Sequence, residues 1–468
     1  MEMLSIHLEH NSEIPLYEQL YNYIKQEITG GRLKYGEKLP SKRKLAEYIK
    51  VSQNTVETAY EQLMAEGYIE GVPRKGYFVQ AYEELEYIQK KRMLTKEKNE
   101  NEVPLKYHFH PSWIDTGSFP FTKWRKYARD TIDKNNHRLL LLGELQGDLE
   151  LRTEIANYLY HARGVHCSPE EIVIGAGSEI LLQQLVHLFE TTTVYGVEDP
   201  GYHVISKILK NYQNDVYPLD VDEEGVKVDE IDNTNINVVY VTPSHHFPYG
   251  SVLSVNRRVK LLKWAASSQN RFIVEDDYDS EFRYSGKTIP SLQSMDQAGK
   301  VIYLGTFSKS LIPSIRISYM VLPSELLKQY REKLSYYQCT VSRIDQHILT
   351  RFMQSGDFER HLNRMRKLYR NKLDKTLDIL KKYRDTIEVI GEYSGLHLVL
   401  AIRNGMTEEE LVKNAWRKAS IKIYPLSYYL LDKQEFKGSP KIILGFAGIP
   451  EEELETALNL LINSWGLD

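Results

Sequence analysis

From about residue 105 onward, short apolar runs rich in β-branched residues alternate with longer stretches of helical periodicity. No other feature constrains the fold as tightly. The runs EIVIGAG, TVYGVE, INVVYVTP, RFIVEDD and KVIYLGT have the continuous apolar character of strands buried on both faces. Between them, EILLQQLVHLFE and RVKLLKWAASS space apolar residues three and four apart, as one helix face requires. The alternation predicts an α/β layer structure around a mostly parallel sheet. Beyond about residue 335 a long helical stretch, the strand-like GLHLVLAI and KIILGFAGI, and a final helix from Glu451 predict a smaller α+β subdomain.

Residues 1–80 follow another rhythm. Leu16, Leu20, Tyr23, Ile24 and Ile28 mark one helix face after Pro15 and before Gly30-Gly31. Ser41 is a good N-cap for a second helix with Leu45, Ala46 and Ile49 inside, and Ser52 caps a third with Val56, Ala59, Tyr60 and Leu63 inside. YIEGVPRKGYFVQ then alternates around a turn and predicts a β-hairpin. Helix, turn, helix and hairpin together describe a winged helix-turn-helix. The segment holds 10 Lys/Arg against 11 Asp/Glu, so affinity for DNA depends on where the cations lie. Residues 32–50 carry seven Lys/Arg against Glu37 and Glu47 alone. Lys42, Arg43 and Lys44 would approach phosphates, while Gln53, Asn54 and Thr55 offer donors and acceptors to base edges. Arg74 and Lys75 fall at the hairpin tip, just before Gly76. Residues 81–105 are dense in both charge signs and are expected to be a linker, so the layout is 1–80, 81–105 and 106–468.

Composition narrows the class. With 42% apolar and 26% charged residues and a net charge of −4, the chain is neither wholly disordered, collagen-like nor membrane-embedded. No apolar run approaches the roughly 18 residues of a membrane span. The start has neither a cationic nor an apolar signal region, so a cytoplasmic location is expected. Cys167 and Cys339 can form neither a disulfide framework nor a four-cysteine zinc site, and no metal is expected.

The chemistry concentrates in GTFSKSLIPSIRISYMVL, residues 305–322. Lys309 lies between small hydroxyl residues just after an apolar strand, placed to form a Schiff base with an aldehyde cofactor. Thr306, Ser308 and Arg316 would hold a phosphate beside it. Asp276 ends a buried strand, where a carboxylate can pair with a protonated pyridine nitrogen. In GAGSE, residues 175–179, a strand passes into a helix, so the backbone of Gly177, Ser178 and Glu179 and the Ser178 hydroxyl can meet an anion.

LPSKRKLAEYIKVSQNTVETAYEQLMAEGYIEGVPRKGYFV resembles the winged-helix domain of GntR regulators through PSxRxLA, VSxxTVxxAYxxLxAEG and the KGxFV wing. That resemblance implies operator contacts from Ser41, Lys42, Arg43, Ser52, Gln53, Asn54, Thr55, Arg74, Lys75 and Gly76. The order of Gly-loop, aromatic after PG, strand-end Asp, then Lys and Arg resembles the fold-type I aminotransferases, which use pyridoxal 5′-phosphate. LQGDLELRTEIANYLYHARGV resembles that family's opening. The resemblance implies that Tyr202 stacks on the cofactor ring and Tyr278 contacts its phenolic oxygen. A GntR-type domain fused to an aminotransferase-like one is the architecture of MocR regulators, which implies a homodimer with the large domain sensing a ligand.

Three departures bear on the ligand. Phe247 stands where aminotransferases place an asparagine, as in many MocR members. Gly448 follows GFA where an arginine clamps the substrate carboxylate, and His203-Val204 follow PGY where the GABA-responsive branch carries another arginine. Glycine, histidine and valine do not reproduce a bidentate guanidinium. Ordinary transamination is therefore not expected. The expectation is a regulator that senses pyridoxal 5′-phosphate itself and controls its biosynthesis genes, similar to the PdxR branch. The alternatives are a regulator responding to an amino acid or amine through an external aldimine, and an active aminotransferase with an accessory winged helix.

Overall fold

The computed structural model describes residues 6, 8, 9, 12, 14–80, 104–284, 286, 289–431 and 438–467. They belong to two compact units, residues 1–102 and 103–468. The expected linker lies outside the described residues as far as residue 103.

In the first unit, α1 (Leu16–Thr29), α2 (Lys42–Ile49) and α3 (Gln53–Ala65) surround a core of Leu20, Ile24, Leu45, Val56, Ala59, Tyr60 and Leu63. Ser41 and Ser52 cap α2 and α3 by accepting from the backbone N–H of Lys44 and Thr55. The hairpin pairs β2 (Ile69–Val72) with β3 (Gly76–Val79) in antiparallel register, Val72 opposite Gly76. A two-residue strand, β1 (Lys38–Leu39), adds to the far side of β3.

The second unit begins with β4 (Tyr107–His108), α4 (Phe121–Thr131) and α5 (Leu149–Arg163). Its main sheet draws on β5 (Ile172–Gly175), β6 (Val194–Asp199), β7 (Asp215–Asp222), β8 (Gly225–Val226), β9 (Val238–Val241), β10 (Phe272–Asp277), β11 (Val301–Thr306) and β12 (Ser318–Val321). The strand order is β5-β12-β11-β10-β9-β6-β7-β8. The central strands are parallel, but β12 runs antiparallel to both its neighbours and β8 antiparallel to β7, so the sheet is mixed. One face packs on α6 (Ser178–Val186), α7 (His203–Asn211) and α9 (Ser324–Lys333). The cores on the other side draw on α5, α8 (Val255–Ala266) and α10 (Arg343–Gln354).

The long α11 (Asp357–Leu380) leads to a four-stranded sheet of β13 (Ile387–Ile390), β14 (His397–Ile402), β16 (Tyr424–Pro425) and β17 (Lys441–Gly445). With α12 (Glu408–Ala419) and α13 (Leu454–Ser464) this sheet encloses its own core, the expected smaller subdomain. β15 (Ile421–Lys422) pairs in parallel with β4 and ties the two ends of the unit together. Among the described residues no helix is long and apolar enough to cross a membrane, no acidic, His or Cys cluster could hold a metal, and Cys167 and Cys339 form no disulfide.

Candidate functional site

Parallel strands deliver their carboxyl ends to one edge of a sheet, and ligands bind in the crevice there. Here β5 ends at the Gly-loop, β6 just before Tyr202, β9 just before Thr242, β10 at Asp276-Asp277, and β11 at Thr306. The register sets Asp276 beside Leu304 and Asp277 beside Gly305, so Lys309 emerges beyond the end of β10. A cleft of about 830 Å³ opens at this edge. Ser178, Glu179, Tyr202, Asp276, Tyr278, Thr306, Ser308, Lys309 and Arg316 all line it. Gly177 lies beneath the Arg316 guanidinium: a Cβ there would stand 2.0 Å from Nη2.

Three regions of the cleft differ in chemistry. At one, Arg316 and the hydroxyls of Ser178, Thr306 and Ser308 face the start of α6. The Thr306 hydroxyl accepts from Ser308 N–H at 3.1 Å and from the Ser318 hydroxyl at 2.8 Å. Arg316 donates to Glu179 at 2.6 Å, so a carboxylate already occupies the guanidinium. In the middle, Lys309 Nζ donates to the Pro111 carbonyl at 3.0 Å. Burial lowers this amine to about 8, against the raising influence of the Asp279 carboxylate. In the third region, Asp276 is 9% exposed and accepts from the Tyr240 hydroxyl on β9. Burial pushes its carboxyl up to about 7; the Tyr240 hydrogen bond opposes that rise and neighbouring carboxylates add to it.

Behind this face, the Arg163 guanidinium donates to Asp277 at 2.6 Å and to Ser244 at 2.7 Å, bracing the end of β10. Phe247 lines the cleft at the position expected of asparagine and meets Tyr202 edge to face. Gly448 is in tight contact: a Cβ at this position would lie 2.8 Å from Trp113 Cβ.

Tyr240, Thr242, Pro111, Ser112 and Ser318 also take part, and sequence reasoning passed over all five. Tyr240 and Thr242 lie in and beside a run noticed only as a strand. Pro111 and Ser112 lie in a segment without periodicity.

In the first unit, Ser41, Arg43, Lys44, Ser52, Gln53, Asn54, Arg74 and Lys75 are exposed. Lys42 is half-buried: its ammonium pairs with Glu57 of α3 and lies over the Tyr77 ring. Arg43 makes a 3.3 Å pair with Glu47 one turn along α2 and keeps 81% of its side chain exposed. Thr55 shares a 2.8 Å hydroxyl contact with Ser52, which leaves Gln53 and Asn54 as the polar side chains presented by the first turn of α3. Arg74 adopts a left-handed φ of 63° at the turn and Gly76 follows at 113°.

Residues 16–79 match the bacterial regulatory proteins of the gntR family, and residues 114–461 match aminotransferase class I and II. The HTH-type transcriptional regulator YdeL of Bacillus subtilis is 45% identical, over 98% of each chain. The probable rhizopine catabolism regulatory protein MocR of Rhizobium meliloti is 30% identical over 97% of this chain and 94% of its own. The chain belongs to the MocR group of GntR-type transcription regulators.

Another relative of this MocR-type chain is the pyridoxine biosynthesis regulator PdxR of Corynebacterium glutamicum, 29% identical over 97% of both chains. Among solved structures, a kynurenine aminotransferase of Pyrococcus horikoshii superimposes with a TM-score of 0.70 at 24% identity, over 78% of this chain and 91% of that one. An archaeal alanine:glyoxylate aminotransferase gives 0.71 at 23% identity over the same shares. The second unit thus has the fold-type I aminotransferase fold, and the first is a winged helix-turn-helix of a kind that binds DNA.

Proposed function

We propose that this MocR-type regulator binds pyridoxal 5′-phosphate in the cleft at Lys309, reads its occupancy into operator binding, and controls pyridoxal-phosphate biosynthesis genes. The observation that carries the reading is a contrast within one site. The residues suited to the cofactor line a single cleft, whereas the position expected to clamp a substrate carboxylate is Gly448, packed against Trp113.

The donor set fits the group. A buried carboxyl at the cleft wall, raised to about 7, is stabilised by a cationic partner such as a protonated ring nitrogen. Lys309, lowered to about 8, holds more of its neutral nucleophilic form than an exposed lysine. Arg316, Ser178, Thr306 and Ser308 supply the cation and hydroxyls for a phosphate, and α6 adds its N-terminal N–H groups. Bound there, the cofactor would supply an aldehyde carbon open to attack by a primary amine. Lys309 would be the amine that meets that carbon, Asp276 would hold the ring charge, Tyr202 would cover the ring and Tyr278 would contact its phenolic oxygen.

The deciding experiment compares operator binding by apo and reconstituted protein, titrated first with pyridoxal 5′-phosphate alone and then with a panel of amino acids and amines. The vitamer should change operator affinity by itself. Identical binding by the two forms, with only an amino acid or amine changing the complex, would overturn the reading. Lys309→Ala should lose the borohydride-reducible adduct. Steady-state turnover with a common amino-donor and keto-acid pair would favour an aminotransferase instead.

A further inference from the structure

Just past the end of β10, Tyr278 and Asp279 meet a histidine from the loop after β9. His245 Nδ1 lies 2.8 Å from Asp279 Oδ1 and 3.0 Å from Oδ2. The Tyr278 hydroxyl lies 3.0 Å from the same nitrogen. The His245 and Asp279 side chains are 3% and 1% exposed. The imidazole fits a slot that the small subdomain leaves open for it. A Cβ at Gly395, just ahead of β14, would come within 2.1 Å of Cε1. Among the described residues, His245 Nε2 is buried without a hydrogen-bond partner, so the ring's polar contacts all run through Nδ1. Tyr278 itself lines the cleft, and Asp279 is the carboxylate that acts on Lys309.

One nitrogen shared by a carboxylate and a hydroxyl decides where a proton goes. A carboxylate only accepts, so Nδ1–H donates to Asp279. Nδ1 then has no lone pair for the tyrosine, and the Tyr278 proton is left for an acceptor in the cleft. We propose that Asp279 and His245 are positioning residues that fix this tautomer and so keep the Tyr278 hydroxyl donating to the cleft ligand. The proposal rests on pyridoxal 5′-phosphate being that ligand, with its ring oxygen as the acceptor. Other groups facing the trio are Lys309, His397 of β14, the neighbouring His246, Glu198 at the end of β6, and Asp276 and Asp277 of β10. Burial, reinforced by Asp279 and Asp276, holds Tyr278 well above the usual tyrosine range, so its proton stays available.

A hydrogen bond donated to the ring oxygen withdraws charge from it, and the adjacent lysine nitrogen then releases its proton at lower pH. Losing the donor raises the pH midpoint of the bound cofactor's visible absorption. The test is that midpoint in full-length reconstituted protein. His245→Phe removes the Nδ1–H and leaves the buried Asp279 carboxylate as an acceptor open to the Tyr278 hydroxyl, while the Asp279 charge beside Lys309 is kept. The midpoint should rise by about one pH unit, as it should in Tyr278→Phe. His245→Asn keeps an N–H near the Nδ1 position and should stay close to wild type. Tyr278→Phe combined with His245→Phe should shift no further than either alone, since His245 acts through the tyrosine. An unchanged midpoint in His245→Phe, or additive shifts in the double variant, overturns the proposal. Should His245→Phe fail to fold, His245→Gln, whose amide extends past the Nδ1 position, makes the same comparison against His245→Asn. A wild type that gains no visible absorption removes the cofactor reading, and the proposal with it.

Discussion

Arg316 adopts a left-handed backbone conformation, φ 50°, that non-glycine residues seldom take and that concentrates at binding sites. It brings the guanidinium over Gly177, itself at φ 101° with no room for a Cβ. Gly177→Ala should therefore push the guanidinium aside and weaken pyridoxal 5′-phosphate binding roughly tenfold or more, the worth of one charge-assisted hydrogen bond, by equilibrium titration. Glu179 competes with an incoming phosphate for the same guanidinium at 2.6 Å. Glu179→Gln should tighten cofactor binding several-fold, and the gain should shrink as salt is raised. Lys309 supplies a pH prediction. Its amine reacts only when neutral, and with the free group at about 8 that form is lost below this pH and complete above it. Stopped-flow capture of the aldehyde should accelerate about tenfold per pH unit below 8 and level off above it, whereas an ordinary lysine would keep accelerating toward about 10.4. Lys309, Asp276 and Arg316 were legible in the sequence because each has a local signal, a strand end or a hydroxyl-rich loop. Tyr240 and Ser318 were not, because their contacts with Asp276 and Thr306 arise from strand neighbours brought together only by the sheet.

At the scale of elements, α2 and α3 are joined by the Lys42–Glu57 pair, which turns Lys42 inward while Arg43 stays exposed. The two cations should behave differently. Arg43→Ala should weaken operator binding, by about 1–3 kcal/mol if it reads a guanine, with the fold intact. Lys42→Ala should act mainly on the thermal stability of the unit and leave the salt slope of DNA binding little changed. Unchanged operator affinity in Arg43→Ala would refute this placement of α2. Helix ends were readable because Ser41 and Ser52 announce them chemically. β1 was not, since two residues carry no periodicity and its pairing with β3 is made across the fold. β7 hid for another reason. Pro218 lies within it, and proline argues against a central strand. It is tolerated because β8 pairs with β7 only at Val221 and Asp222, so at Pro218 the outer side of β7 is an edge. The antiparallel course of β12 was equally hidden, since an apolar run has no direction.

Across the whole molecule, the two units keep separate hydrophobic cores. A ligand that binds only one unit stabilises that unit by mass action. Calorimetry of the full chain with pyridoxal 5′-phosphate should raise the unfolding temperature of the larger unit and leave the winged-helix transition in place, and Lys309→Ala should diminish the shift. The division into a winged helix and an α/β body was visible in the change of periodicity near residue 105, because each unit has its own repeat. The joining of β4 to β15 was not, since more than 300 residues separate Tyr107 from Ile421. The contact between Gly448 and Trp113 has a consequence for redesign. An arginine installed at 448 alone would meet the Trp113 side chain at its first carbon, before its guanidinium could reach any carboxylate. A carboxylate clamp at this position therefore needs a second change that makes room at Trp113, and either substitution by itself leaves the contact overfilled or hollow.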